Sequence, residues 1–254
     1  MNLFHAVVLG VVEGITEFLP ISSTGHLILT VKLLGLTPPE FLKSFEIMIQ
    51  LGAILAVVAL YWRPLFNLEI FKRVLTAFLP AAAAGFIFYK LIKRFLLGNP
   101  HVVLWALFAG GLFLIVFERF HRENKSSPGG LTDIPYSKCF LVGLFQCLAM
   151  VPGVSRSGAT ILGGLALGLR RKIVVEFSFL LAVPTMLAAT ALDLVQNASS
   201  FSRNQIEFLL AGGITSFVVA ILSIRFLLRF IRLHSFIPFG VYRIAVALWF
   251  WLLL

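Results

Sequence analysis

The chain has little charge and few cysteines. Only 13% of its 254 residues are charged, whereas soluble domains carry roughly 25%. Apolar residues make up 59%, and the mean hydropathy is +0.99. This composition excludes an ordinary soluble domain and predicts an integral membrane protein with little mass outside the bilayer. The two cysteines, Cys139 and Cys147, lie in or beside apolar runs without metal-ligand spacing, so we interpret them as small core residues.

Alternating strands of the kind that build an outer-membrane barrel are also absent. The net charge is +10, but the basic residues stand in short clusters between apolar runs. The positive-inside rule and attraction to anionic lipid headgroups explain these clusters better than nucleic acid does, and we expect no nucleic-acid partner. The N-terminus lacks a basic segment and carries Glu13 inside its first apolar run, which disfavours a cleaved signal peptide.

Ten apolar segments of helical length divide the chain into two halves. They cover 3–19, 21–35, 45–62, 74–90, 101–118, 137–151, 155–169, 173–193, 206–228 and 236–254. Five precede and five follow a polar stretch with a Ser-Ser-Pro-Gly-Gly run, which is typical of a linker. We predict an all-α polytopic membrane protein with a single membrane domain, 1–254, built from repeat one (1–118), a linker (119–136) and repeat two (137–254).

Two polar stretches inside these segments resemble each other. A constant offset of 133 residues places Gly10 on Gly143, Glu13 on Gln146, Ser22 on Ser155 and Gly25 on Gly158. A duplicated motif of serine, glycine and charge is costly to keep in lipid-soluble sequence. It is therefore a functional-site hypothesis.

Segments 21–35 and 155–169 are too short to cross a bilayer. At about fifteen residues each they reach about 22 Å, whereas the hydrocarbon core is about 30 Å thick. Each half is predicted to form a re-entrant helical hairpin followed by three transmembrane helices. Because three is odd, the second half enters the membrane with opposite orientation, which gives an inverted-topology repeat. Most Lys and Arg residues then lie on one side, which places that side in the cytoplasm and both termini outside.

The tips of the two hairpins carry helix-start signals. Pro20 ends one helix, and Ser22, Ser23 and Thr24 are preferred N-cap residues for the next. In the second copy, a Pro-Gly pair precedes Ser155 in the same way. A helix N-terminus offers free N–H groups and a positive dipole end to an anion. Two such ends that converge suit a ligand with two phosphates.

Charged residues of the motifs allow more than one role. Arg156 has the forked donor geometry that matches phosphate oxygens, but it is also a candidate for a structural ion pair with Glu13 or Glu17. The two glutamates are four residues apart and share one helix face, so we expect a divalent metal or Arg156 between them, unless one carboxyl is protonated. His26 faces back towards the serines on a helix, where it either transfers a proton or is a hydrogen-bonded core residue. Arg243 has no assigned role, and an acidic partner is the simplest expectation.

These motifs resemble those of the bacterial undecaprenyl-diphosphate phosphatases, the bacitracin-resistance family. The first match covers 13–26 and the second 152–160, and two further stretches match at 45–52 and 176–184. The resemblance extends over essentially the full length. It implies hydrolysis of the lipid carrier's diphosphate to monophosphate and phosphate, in the bacterial plasma membrane, with an active site facing the outer side.

The resemblance also implies roles for individual residues. Ser23 is the candidate nucleophile, and Arg156 the phosphate clamp. Glu13 and Glu17 are the acidic pair and the ligands of a divalent cation, Mg²⁺ or Ca²⁺, and His26 is the general acid or base. The other candidates for phosphate binding are Ser22, Thr24, Gly25, Ser155, Ser157 and Thr160.

Several alternatives stay open at the level of sequence. Ser23 attacks the phosphorus, activated by His26 or a glutamate, or water attacks directly while the serines only bind. Inverted repeats with broken helices are also a transporter architecture, so a transporter or flippase of an anionic polyprenyl lipid is the second functional class. The expected partners are the polyprenyl diphosphate substrate and membrane lipid. The sequence does not distinguish a monomer from a homodimer.

Overall fold

The computed structural model describes residues 1–36, 40–95, 100–122, 129–197 and 203–253, which form ten α-helices, two short 3₁₀ turns and no strand. The first five helices are α1 (Leu3–Thr16), α2 (Ser23–Leu33), α3 (Glu40–Leu65), α4 (Leu68–Phe95) and α5 (Pro100–Phe120). The other five are α6 (Tyr136–Cys147), α7 (Arg156–Ala166), α8 (Arg171–Asn197), α9 (Arg203–Phe230) and α10 (Ile237–Leu253). The predicted all-α fold is confirmed. Part of the predicted linker, 123–128, lies outside the described residues.

Five of the described helices are long and apolar enough to cross a membrane, so the chain is a multi-pass membrane protein. The candidate spans are Ser44–Leu65, Leu68–Phe88, Pro100–Phe120, Arg171–Ala191 and Gln205–Phe230. Three further helices, α1, α6 and α10, are apolar but shorter. The sequence predicted a full span at 236–254, but α10 has 17 residues and reaches about 26 Å, somewhat less than the roughly 30 Å of hydrocarbon.

Helix packing follows a matched pattern in the two halves. In the first half, α1 packs on α2 and on α9; in the second, α6 packs on α7 and on α4. Likewise α3 packs on α9, and α8 packs on α4. The pairs α3–α8 and α5–α10 join equivalent helices of the two halves. Of the five candidate spans, α8 and α3 are the most buried, so they form the centre of the bundle.

Two glycines let the first helix of each half approach its neighbour closely. A Cβ atom at Gly10 of α1 would lie 2.5 Å from the carbonyl oxygen of Gly212 on α9. A Cβ atom at Gly143 of α6 would overlap the carbonyl oxygen of Ala77 on α4. Small residues at such crossings are typical of helix packing in membranes, where close van der Waals contact replaces the hydrophobic effect. These crossings fix the helices that lead into two serine-bearing turns. The first turn, 17–22, joins α1 to α2, and the second turn, 148–155, joins α6 to α7.

A shared apolar core lies beneath these turns. It contains Phe18 and Ile21 from the chain between α1 and α2, together with Ile161 from α7 and Phe179 from α8. The Phe18 and Phe179 rings meet edge to face with centroids 5.4 Å apart. Because both halves contribute to one core, the two turns are held at a fixed separation.

Candidate active site

Both short helices begin at a serine cap, as the motifs predicted. The Ser22 hydroxyl accepts a hydrogen bond from the backbone N–H of Gly25 at 3.4 Å, at the start of α2. The Ser155 hydroxyl accepts the equivalent bond from Gly158 at 3.0 Å, at the start of α7. Each serine satisfies one of the free N–H groups of its helix N-terminus. The first residues of the two helices, Ser23 and Thr24 of α2 and Arg156 of α7, line one cavity.

The two turns differ in backbone conformation. Ser22 has φ = +74°, a left-handed value that costs a non-glycine residue about 1–3 kcal/mol. In the second turn a glycine, Gly153, takes the positive value, φ = +92°. A Cβ atom there would also lie 2.6 Å from the carbonyl oxygen of Val103 on α5, so glycine is required for space as well as for conformation. Contacts with the surrounding residues must therefore stabilise the strained conformation of Ser22.

A continuous set of contacts joins Ser23, Glu17 and Arg156 across the two halves. The Ser23 hydroxyl donates a short hydrogen bond to Oε2 of Glu17. The other oxygen, Oε1, pairs with Nη2 of Arg156 at 3.1 Å. Both charged side chains are largely buried, at 6% and 12% exposure. The Glu17 carboxylate therefore accepts a hydrogen bond from the Ser23 hydroxyl and pairs with the Arg156 guanidinium at the same time.

Arg156 has further donors besides the ion pair. Its Nη1 donates to the carbonyl oxygen of Ser178 on α8 at 2.9 Å. Its Nε is buried and has no hydrogen-bond partner among the described residues. The structural ion pair with a glutamate that the sequence left open is therefore present, but it does not use the whole guanidinium.

Glu13 is the more deeply buried of the two carboxylates in this region. It is fully buried one helical turn before Glu17, and neither of its oxygens receives a hydrogen bond from a donor group among the described residues. Its electrostatic neighbours are Glu17, Glu46 and Arg156. A hydrogen bond between the Glu13 and Glu17 carboxyls would require one of them to be protonated. Two oxygens without donors are also the kind of ligand that a hard divalent cation accepts.

The described residues nevertheless contain no group of three or more His, Cys, Asp and Glu side chains arranged to hold a metal ion. Glu13 and Glu17 thus supply at most part of a coordination shell. Magnesium typically keeps several waters and is bound by one or two carboxylates together with substrate phosphate oxygens. A pair of glutamates fits that mode of binding.

A relay of hydroxyl groups crosses from the second turn to the first. Ser157 donates to the carbonyl oxygen of Leu19 at 2.9 Å, and Ser155 lies 2.9 Å from Ser157. Because Ser157 gives its proton to Leu19, the proton between the serines comes from Ser155. Thr160 bonds the carbonyl oxygen of Arg156 at 3.0 Å and the hydroxyl of Ser178 at 2.6 Å. Ser157 and Thr160 therefore brace the site from inside the protein.

A cavity of about 140 Å³ lies between the two turns. The residues that line it are Glu17, Ser22, Ser23, Thr24, Gln50, Ala149, Val151, Pro152, Gly153, Val154, Ser155, Arg156 and Met186. Six of the predicted site residues are in this set: Glu17, Ser22, Ser23, Thr24, Ser155 and Arg156. The other five, Glu13, Gly25, His26, Ser157 and Thr160, are absent from the lining. The structure thus separates predicted site residues that face the cavity from those that do not.

No hydrogen bond joins His26 to Ser23 in the structure. Its Nδ1 lies 2.7 Å from the carbonyl oxygen of Ser22, and its Nε2 lies 2.9 Å from the hydroxyl of Tyr242 on α10. The two rings are nearly parallel, with centroids 5.5 Å apart. The group that contacts the Ser23 hydroxyl is Glu17. The sequence had offered both residues as activators of Ser23.

The sequence model of a protein family, described as bacitracin resistance protein BacA, matches residues 6–249 of the chain. The chain belongs to the BacA family. Among its relatives, the undecaprenyl-diphosphatase of Sulfurihydrogenibium sp. (strain YO3AOP1) is 52% identical over 252 residues, which cover 99% of both chains. The undecaprenyl-diphosphatase of Aquifex aeolicus (strain VF5) is 51% identical over 98% of this chain and 97% of the relative. The family resemblance inferred from the motifs is confirmed.

The last helix of this BacA family member supplies a group that motif reading did not assign. Arg243 is 3% exposed and donates to one carbonyl oxygen in each turn, Pro20 at 3.3 Å and Gly153 at 3.0 Å. It also donates to the carbonyls of Ala106 and Leu107 on α5, at 2.9 and 3.3 Å. The expected acidic partner is wrong, because carbonyl oxygens satisfy the guanidinium instead. Arg243 therefore ties both turns to one another.

Proposed function

We propose that this chain is an integral membrane phosphatase that hydrolyses undecaprenyl diphosphate to undecaprenyl phosphate and phosphate, and so recycles the lipid carrier for cell-wall synthesis. Two full-length relatives at about half identity carry the name undecaprenyl-diphosphatase. The observation that carries the proposal is the hydrogen bond from Ser23 to Glu17 beside Arg156, in a cavity that two helix N-termini border. This arrangement combines a nucleophile, a proton acceptor and phosphate-binding donors.

In the proposed reaction, the terminal phosphoryl group lies between the two turns. Ser23 Oγ attacks its phosphorus while the hydroxyl proton passes to Glu17, and the bond to the bridging oxygen breaks, so undecaprenyl phosphate leaves. Water then attacks the phosphoserine, phosphate departs, and Oγ regains a proton. Direct attack by water, with Ser23 only binding, remains the alternative. Both routes place the same charge on the transferred group.

The transferred group gains stabilisation from donors that are already in place. Arg156 and the first N–H groups of α2 and α7 are fixed before substrate binds, so they need no reorganisation as negative charge develops. Thr24, which is exposed at the start of α2, supplies a further hydroxyl donor to phosphate oxygens, whereas the Ser155 hydroxyl would have to turn away from Ser157 to donate to them. Val151, Val154 and Met186 add apolar side chains to the lining of the cavity. These side chains suit the first units of a polyprenyl chain.

A divalent cation, Mg²⁺ or Ca²⁺, is the proposed cofactor. Glu13 and Glu17 would hold it, since the Glu13 oxygens have no donor among the described residues. When bound, the cation would neutralise charge on the diphosphate.

The proposed architecture is an inverted-topology repeat whose first two helices in each half form a re-entrant hairpin. Two observations support it: the matched helix pairs of the two halves, and the equivalent serine caps at Ser22 and Ser155. We propose that both termini, and the opening of the site, lie on the outer side of the bacterial plasma membrane, because most of the basic residues that flank the spans then lie in the cytoplasm. Cross-linking in native membranes would distinguish a monomer from a homodimer.

The decisive experiment measures phosphate release from a long-chain polyprenyl diphosphate by purified protein in detergent with magnesium. We expect turnover by the wild type and loss of about a hundredfold or more in Ser23→Ala and Arg156→Ala. Matched controls are Ser137→Ala and Arg119→Ala, which change exposed residues outside the cavity. A transporter or flippase would release no phosphate in micelles. Absence of phosphate release by the folded wild type would therefore refute the proposal and favour the transport class.

A further inference from the structure

The strained cap at Ser22 has to be held in place by its neighbours. Among the residues that the structure describes, Ser22 is the one non-glycine residue with a positive φ, +74°. The following residue is Ser23, whose hydroxyl faces Glu17. Any relaxation of Ser22 towards an ordinary φ would swing Ser23 away from that carboxylate. The position of the proposed nucleophile therefore depends on whatever fixes Ser22.

His26 provides two of the contacts that fix it. Both its backbone N–H, at 3.2 Å, and its ring Nδ1, at 2.7 Å, reach the carbonyl oxygen of Ser22. A carbonyl oxygen only accepts, so Nδ1 carries a hydrogen and donates it. The third contact is the bond from the Gly25 N–H to the Ser22 hydroxyl at 3.4 Å, which is longer and weaker. The ring of His26 thus makes the shortest of the three hydrogen bonds that hold Ser22 itself.

The other ring nitrogen is also occupied. Nε2 lies 2.9 Å from the Tyr242 hydroxyl, which comes from α10. With Nδ1 on the Ser22 carbonyl and Nε2 on Tyr242, neither nitrogen faces Ser23 or lines the cavity. Tyr242 instead holds the imidazole in the plane that points Nδ1 at Ser22. Such a histidine is oriented like a structural donor.

The second half of the chain offers an internal comparison. There the cap residue Ser155 has φ = −53°, an ordinary value. The offset of 133 that relates the two motifs places Ala159 at the position of His26. Ala159 makes the backbone bond to the Ser155 carbonyl, at 2.8 Å, and no ring bond is needed. The histidine thus accompanies the strained serine and is missing where the strain is missing.

We propose that His26 is a positioning residue and does not transfer a proton in the reaction. Its Nδ1–H donates to the carbonyl oxygen of Ser22 and so holds the strained Ser22–Ser23 turn, while Tyr242 fixes the ring through Nε2. This inference rests on the proposed phosphatase function. It assigns the proton of Ser23 to Glu17 alone. It also assigns Tyr242 a role that no motif indicated.

Substitutions of His26 separate the two roles, because asparagine and glutamine mimic different ring nitrogens. His26→Asn keeps an N–H close to the position of Nδ1 but cannot act as an acid or base near neutral pH. His26→Gln keeps an N–H close to Nε2 only, and His26→Ala keeps neither. Phosphate release from a polyprenyl diphosphate in detergent would be measured for each variant as kcat, KM and a pH profile.

We expect His26→Asn to keep kcat within about threefold of wild type, while His26→Gln and His26→Ala lose about tenfold, with KM little changed. The pH profile of His26→Asn should have the wild-type shape, and Tyr242→Phe should lose less than His26→Ala. A general acid or base would instead cost roughly 10²–10⁴-fold in all three His26 variants, and that result would overturn the inference. Equal activity of His26→Asn and His26→Ala, at any level, would overturn it too.

Two controls complete the design. His234→Asn makes the same change at an exposed histidine at the end of α9, and its activity should equal that of wild type. Thermal unfolding in detergent identifies any variant that fails to fold, and the comparison of His26→Asn with His26→Gln still decides if His26→Ala is lost. A folded wild type without phosphatase activity would refute the proposed function itself, and the inference with it.

Discussion

Arg243 does not line the cavity, yet we expect its removal to disturb the site strongly. Its guanidinium, 3% exposed, donates to carbonyl oxygens of both turns and of α5. A hydrogen bond to a charged group contributes about 1.5–3 kcal/mol net. The two shorter bonds, to Ala106 at 2.9 Å and Gly153 at 3.0 Å, therefore contribute about 3–6 kcal/mol. Relief of the buried charge offsets part of that loss.

We accordingly expect Arg243→Met to lower the free energy of unfolding by about 3 kcal/mol. We also expect it to reduce kcat/KM at least about a hundredfold, since a displacement of about 1 Å in a site can cost that much. Arg243→Lys restores the charge but not the fork of donors, so it should recover stability only in part. Thermal and denaturant unfolding in detergent, together with phosphate release, measure both effects. Arg229→Met, at an exposed position on α9, is the matched control.

A second perturbation tests the same clamp while leaving Arg243 in place. A Cβ atom at Gly110 on α5 would overlap Nη2 of Arg243, so Gly110→Ala must displace the guanidinium. Glycine to alanine inside a helix ordinarily stabilises by about 0.5–1 kcal/mol. Gly85→Ala on α4 shows that ordinary effect, since its new Cβ meets only Met150 Cε at 3.8 Å. Gly110→Ala should therefore destabilise and inactivate, and equal behaviour of the two variants would refute the clamp.

Three further substitutions have expected outcomes. Glu17→Gln should lower kcat by about 10²–10⁴-fold, because it removes the proton acceptor, and a wild-type rate would exclude Glu17 as the base. Gly10→Ala should cost about 1–3 kcal/mol in thermal unfolding, since the new Cβ meets the Gly212 carbonyl oxygen at 2.5 Å, and a gain in stability would contradict that crossing. Glu118 and Arg171 form a bidentate pair at 2.7 and 3.1 Å. Glu118→Gln alone should therefore destabilise more than the double change with Arg171→Met, and strict additivity in that cycle would show that the pair does not couple.

The sequence predicted the helices and the serine caps because local chemistry dictates them. Apolar runs of helical length leave few alternatives, and Ser22 and Ser155 follow residues that end a helix. Contacts between distant side chains and backbone carbonyls could not be predicted in the same way. Every residue has a carbonyl, so the partners of Arg243 carry no signal in the sequence, and an acidic partner was the natural but wrong expectation. The side of His26 that faces Tyr242 likewise depends on where α10 packs.

The two halves share an arrangement of helices and serine caps, but they carry different side chains at matched positions of the candidate site. The residue after the serine cap is Ser23 in the first half and Arg156 in the second, at the same offset of 133. The carboxylate Glu13 corresponds to Gln146, which carries no charge. The ion pair between Arg156 and Glu17 therefore runs between the halves, and the guanidinium meets the proposed proton acceptor only because both turns border one cavity. Two copies of the first half would bring carboxylates and serines together without the cation, and two copies of the second would bring two arginines together without the acid. If the halves are copies, as proposed, it is the differences between them, rather than their likeness, that complete the proposed site.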